Sequence, residues 1–484
     1  MTKAVSSRDS AAIGGLALLV RLAVVIWAAP RFPPVMDGDF YHRVAQRIAA
    51  GDGYTWLWPD GAVTFAAHYP VGYPAMMGGL YALFGPHPAA AMVLNAALGS
   101  IAAVAVHRLA GLGGSRRTAL IAGLLAALHP GLVAYTPALM TEGVTASLLA
   151  CGAWAMSGAL GLADAKDRPT PSPKHLRAAV IATVGAGALF GVATLVRPQS
   201  LVLAPIFAWI AWGSAPLRLR AIGSAAALGA ALLVCAPWTV RNCVRMKSCA
   251  LVSVNGGWNL AIGADPSGSG TWTPVKVPEA CREVWDEAAK DACFGREAAR
   301  SIAADPLTWV AFAPKKLAAT FDYGGAAGWY LFTSNGAAFG ERARDGLGVF
   351  STAVDRSVLL LAIFGALRRR FSSPRRLAAA AGLALLAGVG ALFTVMVHAW
   401  VSYLVLAVLS LIPRGGGDRE PFVASAAGAV VLATLVTHAV FFGAGRYSLV
   451  VVPLLCGAAA LAVGRRGRAP VVASAPEGST SISE

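Results

Sequence analysis

The sequence predicts an all-α polytopic membrane protein: about twelve transmembrane helices, added juxtamembrane helices and a mixed exoplasmic loop domain. Three observations predict it. Of 484 residues, 57% are hydrophobic and 13% charged, with a mean hydropathy of +0.62. A soluble chain of this length cannot bury that much apolar surface, so lipid must solvate much of it. The apolar residues come in runs near the ~20 residues needed to cross hydrocarbon. The net charge of +16 sits in short basic clusters between those runs. That is the positive-inside pattern of membrane proteins, and nucleic acid is not an expected partner.

In chain order the candidate spans are 11–29, 89–110, 118–136, 140–162, 178–195, 199–213, 220–237, 351–367, 377–397, 399–413, 421–442 and 447–463. The first follows a short basic N-terminus and reads as a retained anchor rather than a cleaved signal. A further run, Gly72 to Phe84, is short and broken by Pro74 and a glycine pair. Counting it as a span moves several basic clusters to the other side and destroys the charge asymmetry. Left as a juxtamembrane helix, it keeps Arg108, Arg116, Arg117, Arg218, Arg220 and Arg368 to Arg370 on the side of both termini. Both termini are therefore expected in the cytoplasm, in a bacterial plasma membrane.

The domains follow. Residues 1–237 form an N-terminal transmembrane module whose first exoplasmic loop is 30–88. Residues 238–350 form a large exoplasmic loop domain, 351–468 a C-terminal transmembrane module, and 469–484 a polar, disordered cytoplasmic tail. Helices are expected at Asp39 to Ala50, Glu279 to Ala303 and Asp305 to Phe321. Cys151, Cys235 and Cys456 fall in spans and read as packing residues. Cys243, Cys249, Cys281 and Cys293 lie in the outer loop, an even number in a compartment that permits disulfides. Of their three pairings, Cys243–Cys249 with Cys281–Cys293 is the expected one.

Ionisable groups are costly near a bilayer and point to a site. Here Asp37, Asp39, His68, Glu142, Arg197, Arg241, His398, His438 and Arg446 gather at the outer ends of spans. Asp37 is the candidate base for an acceptor hydroxyl. Asp39 competes between that role and capping the helix that follows. Arg197 and Arg446 suit a phosphate, which a guanidinium grips bidentately, against the plainer alternative of snorkelling to the interface. Glu142 either binds substrate or favours a helix N-terminus electrostatically. The histidines lack metal-ligand spacing. The Asp37/Asp39 pair is the candidate for a divalent cation, although two acids do not specify one. Arg21, inside the first span, is expected to pair with an acid or to snorkel.

Several segments together resemble the C-type membrane glycosyltransferases, specifically family 39, which includes protein O-mannosyltransferases and aminoarabinose lipid A transferases. The matching pieces are Asp37 to Tyr54, HYPVGYP at 68–74, HPGLVAYTPALMTE at 129–142 and TLVRP at 194–198. They continue with PWTVRN at 237–242, SVNGGWNLAIGADP at 253–266, DPLTWVAFAPKKL at 305–317 and HAVFFGAGRYSLVVVP at 438–453. The resemblance implies catalytic positions at Asp37 and Asp39. It implies substrate contacts from Tyr41, His68, Glu142, Arg197, Arg241, Asn255 and Arg446. One departure is Asp265, where relatives often carry Asn.

The implied reaction moves a sugar from a polyprenyl-phosphate carrier to a protein, lipid or cell-envelope glycan at the exoplasmic face. Asp37 takes the acceptor's proton, and arginines stabilise the departing phosphate. A secondary transporter is the main rival, but transporters keep ionisable groups near the midplane and use repeats. A scaffold leaves the one-sided charges unexplained, and an oligosaccharide ligase is the rival among enzymes.

Overall fold

The structure is a computed structural model describing residues 5–162, 173–213, 215–371, 398–413 and 420–463. Helix α1 (Ser7–Ala28) begins where Ser6 Oγ accepts from the Asp9 amide, and Arg116 pairs with Asp9 at 2.7 Å. Helix α2 (Asp37–Ala49) leads into a short antiparallel hairpin, β1 (Thr55–Leu57) with β2 (Val63–Phe65), and then α3 (Gly72–Phe84). Helix α4 (Pro88–Gly113) turns into α5 (Arg116–Leu128), whose start carries a capping box formed by Ser115 and Thr118. Pro130 ends α5 and opens the single-turn α6 (Pro130–Ala134). Then come α7 (Thr141–Met156), α8 (Pro173–Val196), α9 (Leu203–Ala211) and α10 (Leu217–Arg245).

The outer segment folds as α11 (Gly256–Ala264), α12 (Glu287–Ala304), α13 (Pro306–Phe321) and α14 (Ala326–Ser334). Helices α15 (Glu341–Arg370), α16 (Trp400–Leu411), α17 (Phe422–Val440) and α18 (Val452–Ala460) complete the described chain.

Among the described residues, eight helices are long and apolar enough to cross a membrane, and three shorter apolar ones lie at Pro198–Ala211, Trp400–Leu411 and Gly445–Ala460. Together they account for every expected span that lies among the described residues. The run 377–397 and the tail 469–484 lie outside them. Helix α3 has 13 residues and, at ~1.5 Å per residue, is about 20 Å long, short of the ~30 Å hydrocarbon core.

Small residues let these helices approach. A side chain at Gly191 of α8 would come within 2.7 Å of the Ala231 carbonyl of α10. The expected acid partner for Arg21 is not what holds it. Its guanidinium is buried and donates to the carbonyls of Ala126 and Ala127 at the end of α5, so a cation caps a helix C-terminus inside the bundle.

Helix α12 begins at Glu287, later than the expected Glu279, because Asp286 caps it and Glu279–Cys281 forms a separate 3-10 turn. The disulfides are Cys243–Cys249 and Cys281–Cys293. The second packs that turn against Phe294 of α12. Helices α10 and α15 continue across residues 237 and 350, α10 with Pro237 inside it, and carry the apolar bundle into the segment between them.

Candidate active site

Asp37 opens α2, and the chain enters through Met36, held at φ 57°. A side chain that is not glycine in this region costs about 1–3 kcal/mol, which the surroundings must offset. Gly38 explains the constraint. A Cβ there would lie 2.9 Å from the Leu139 carbonyl, so only glycine lets the start of α2 press against the segment leading into α7. That contact brings Asp37 near Glu142, which sits in the first turn of α7 and is 1% exposed.

Two arginines tie the acids together. Arg446 donates to Asp37 Oδ2 at 3.0 Å, and its Nε lies 3.2 Å from Glu142 Oε1. Arg197, placed just beyond α8 where Pro198 stops the helix, reaches the same Glu142 oxygen at 3.2 Å. The order Asp37, Arg446, Glu142, Arg197 thus alternates in sign. Hydroxyls complete it: Tyr69 donates to Asp37 Oδ1 at 2.9 Å, and Tyr135 to Glu142 Oε2 at 3.1 Å.

Tyr447 lies under both guanidinium groups, 4.7 Å from Arg197 and 5.3 Å from Arg446. His438 stacks on the same ring at 4.3 Å, its Nδ1 donating to the Phe442 carbonyl. Arg197 Nη1 is buried without a hydrogen-bond partner, a donor held ready for an anion.

These groups border a cavity of about 450 Å³, into which Tyr41, His68 and Asn255 also face. Asn255 accepts from the Ser253 hydroxyl at 3.0 Å. Burial, and next the Asp37 charge, raises the Tyr41 and Tyr69 phenols above their ordinary range, so both stay protonated as donors. Burial lowers His68, so at neutral pH it offers an uncharged imidazole rather than a cation for phosphate.

Two expected site residues lie elsewhere. Asp39 is exposed and pairs with Arg43 at 2.8 Å on a different face of α2. Arg241 holds the Tyr54 and Ala66 carbonyls at 2.9 Å each and lies 4.6 Å from the Trp238 ring, fastening the hairpin to α10. His398 is outside the cavity too, at φ 85° with its amide donating to Asp322. Asp265, the departure from the expected Asn, accepts from the Ser267 amide and hydroxyl and organises its own turn.

Among the described residues no group of three or more His, Cys, Asp or Glu converges as metal ligands. Asp37 and Asp39 are held by different arginines, and both Asp37 oxygens are already engaged. Both cavity acids are paired with arginine, Asp37 with Arg446 and Glu142 with Arg446 and Arg197.

The sequence reading missed Tyr69, Tyr447 and the cavity aromatics Trp258 and Trp272. Tyr69 and Tyr447 each directly follow a residue it did select, His68 and Arg446.

Residues 68–240, just over a third of the chain, match the family model described as dolichyl-phosphate-mannose-protein mannosyltransferase. Over that stretch the chain is similar to this mannosyltransferase family. The matched stretch contains His68, Tyr69, Glu142 and Arg197 but ends before Arg446. No curated protein sequence matches the chain.

Two solved structures are similar to this chain at low identity. One is ArnT from Cupriavidus metallidurans bound to undecaprenyl phosphate, with 15% identity, a TM-score of 0.43, and 95% of this chain covering 78% of that one. The other is the Archaeoglobus fulgidus oligosaccharyltransferase in complex with zinc and sulfate, with 14% identity, a TM-score of 0.47, and 93% of this chain covering 48% of that one. The chain thus spans about half the length of the archaeal enzyme.

Proposed function

We propose that this protein transfers a sugar from a polyprenyl-phosphate donor to an acceptor hydroxyl at the exoplasmic face of a bacterial plasma membrane. The observation that carries the reading is Arg446, shared between Asp37 and Glu142 on the wall of a cavity large enough for a sugar phosphate. The family description names a lipid-phosphate-linked mannose donor, which supports this substrate class.

The resting ion pair suggests how the chemistry is set up. A carboxylate held by a guanidinium is a weakened base. An incoming phosphodiester offers Arg446 and Arg197 a better bidentate partner, because charge-assisted forks to phosphate are strong and directional. As Arg446 turns to the phosphate, it frees the Asp37 oxygen it held, and that oxygen takes the proton of the acceptor hydroxyl. The acceptor oxygen then attacks the anomeric carbon, the bond to the phosphate oxygen breaks, and the arginines take up the charge that develops there. Tyr69 keeps the Asp37 carboxylate oriented throughout.

The test uses purified full-length protein with polyprenyl-phosphate hexose and a panel of acceptors from envelope extracts. Transfer detected by mass spectrometry, with release of polyprenyl phosphate, supports the reading. Exchange of a polar solute across vesicles without any glycosyl product would replace it with transport.

The topology in this reading places both termini in the cytoplasm. A cysteine probe at Gly61, in the hairpin turn, is expected to react with an impermeant reagent from outside. One at the exposed Arg117, in the first turn of α5, should react only after permeabilisation. The opposite pattern would put the cavity on the cytoplasmic side and remove the lipid-linked donor.

A further inference from the structure

The hairpin between α2 and α3 has an outer face that water does not suit. In its register Thr55 pairs with Phe65 and Leu57 with Val63, so the pleat puts Leu57, Val63 and Phe65 on one side, with Thr55 buried at the base of that side under Arg47. These three are 51%, 52% and 44% exposed. On the other side Trp56 stacks on Phe40 at 4.7 Å, and its cross-strand partner Thr64 is exposed. Trp58, at the end of β1, is also half exposed, with its indole N–H on the Thr64 hydroxyl. A two-stranded hairpin this short is not stable by itself, and natural exposed edges are usually blunted with charge. Here the charge is confined to the turn, at Asp60.

What covers this face follows from its neighbour. On α10, Ile222, Leu233, Val240 and Val244 are all strongly exposed. Their separations of eleven, seven and four residues are each close to whole helical turns, so they form one stripe along the helix. In a spanning helix such a stripe faces lipid. At its upper end, Arg245 lies 4.7 Å over the Phe65 ring and Arg241 holds the hairpin's carbonyls. The lipid-facing stripe of α10 therefore continues onto the hairpin.

The levels agree as well. Helix α10 has 29 residues, about 43 Å at ~1.5 Å each, against a hydrocarbon thickness of ~30 Å. With Arg218 and Arg220 at the inner surface, the turns carrying Arg241 and Arg245 reach the opposite headgroup layer. Tryptophan and arginine are the residues expected there.

We infer that the outer face of the β1–β2 hairpin is a membrane-docking surface, seated in the headgroup layer of the exoplasmic leaflet beside α10. Leu57, Val63 and Phe65 enter the acyl boundary, Arg245 sits at phosphate level, and the Asp60–Gly61 turn stays in water. Strand β2 runs through Ala66 and Ala67 directly into His68 and Tyr69. The docked hairpin thereby fixes the height of the Tyr69–Asp37 contact above the bilayer.

The test places a nitroxide at Leu57→Cys, Val63→Cys or Asp60→Cys in the full-length protein, in nanodiscs of phosphatidylcholine and phosphatidylglycerol. All three side chains point away from the packed core, and unchanged thermal unfolding of each labelled protein checks that it is folded. Power saturation compares collisions with oxygen, which concentrates in lipid, and with a water-soluble nickel complex. Oxygen is expected to dominate at Leu57 and Val63, and nickel at Asp60. Nickel dominance at all three positions would overturn the inference by showing a solvated hairpin. Shielding from both reagents, or dipolar broadening between labels on two copies, would overturn it in favour of a protein partner.

Discussion

Asp37→Asn is expected to lower turnover by roughly 10²–10⁴ while leaving the protein inserted and able to bind its lipid donor. The substitution keeps the shape of the side chain, and its amide oxygen can still accept from Tyr69. It removes only proton acceptance and the charge facing Arg446. Donor binding therefore separates the possible outcomes. Retained or tightened affinity for polyprenyl phosphate with lost turnover fits a base whose resting partner is an arginine. Lost affinity would make Asp37 part of the binding surface instead, and near-normal turnover would remove it from the chemistry. Asp39→Asn is the control, expected to have a small effect because its exposed pair with Arg43 contributes little.

Arg446→Gln is expected to have the second large effect, and on two quantities at once. Charged hydrogen bonds contribute about 1.5–3 kcal/mol each, so losing the fork should weaken polyprenyl-phosphate binding by roughly 10–100-fold. The same change leaves Glu142, 1% exposed, with only Arg197 as a cationic partner, and breaking a buried pair of this kind costs about 3–5 kcal/mol. A lower unfolding temperature should accompany the weaker binding. Arg446→Lys restores the charge without the planar fork, so it should recover stability better than donor affinity. Equal donor affinity in wild type and Arg446→Gln, measured by equilibrium binding in detergent, would take the phosphate away from this arginine.

Much of the site was legible because charge near hydrocarbon is expensive. Asp37, Glu142, Arg197 and Arg446 stood out by residue type and position at span ends, and the fold brings all four together. That criterion could not separate Asp37 from Asp39. Two residues apart on a helix is more than half a turn, so the pair faces different directions, and only the packed helix says which one faces the cavity. Arg241 met the same criterion and failed for a different reason: its partners, the carbonyls of Tyr54 and Ala66, lie far away in sequence. Tyr69 carried no electrostatic signal, since a phenol is cheap to bury once it finds an acceptor.

The helices were readable for the same reason the bundle exists, since an apolar run in lipid has little choice but to close its own hydrogen bonds. The outer segment lacked that constraint. The start of α12 was displaced because the helical pattern extends back to Glu279, whereas Asp286 provides the side-chain cap. The hairpin was overlooked although Asp60–Gly61 is a strong turn pair, because its flanking strands are only three residues each.

Helices α10 and α15 continue from the bundle into the segment between them, α10 with Pro237 inside it, and in the proposed reading this ties the alignment of the site to bilayer thickness. A helix longer than the hydrocarbon is wide relieves the mismatch by tilting. Because α10 continues past Pro237 into the turns that hold the hairpin, a change of tilt is passed on to what those turns carry. For α10 this is the hairpin strand leading to Tyr69, and for α15 the α14 segment, whose Tyr330 hydroxyl accepts from the Leu139 amide beside Gly38. The two halves of the Asp37 setting are thus mounted on separate struts. Their alignment is a property of the protein together with the membrane that surrounds it.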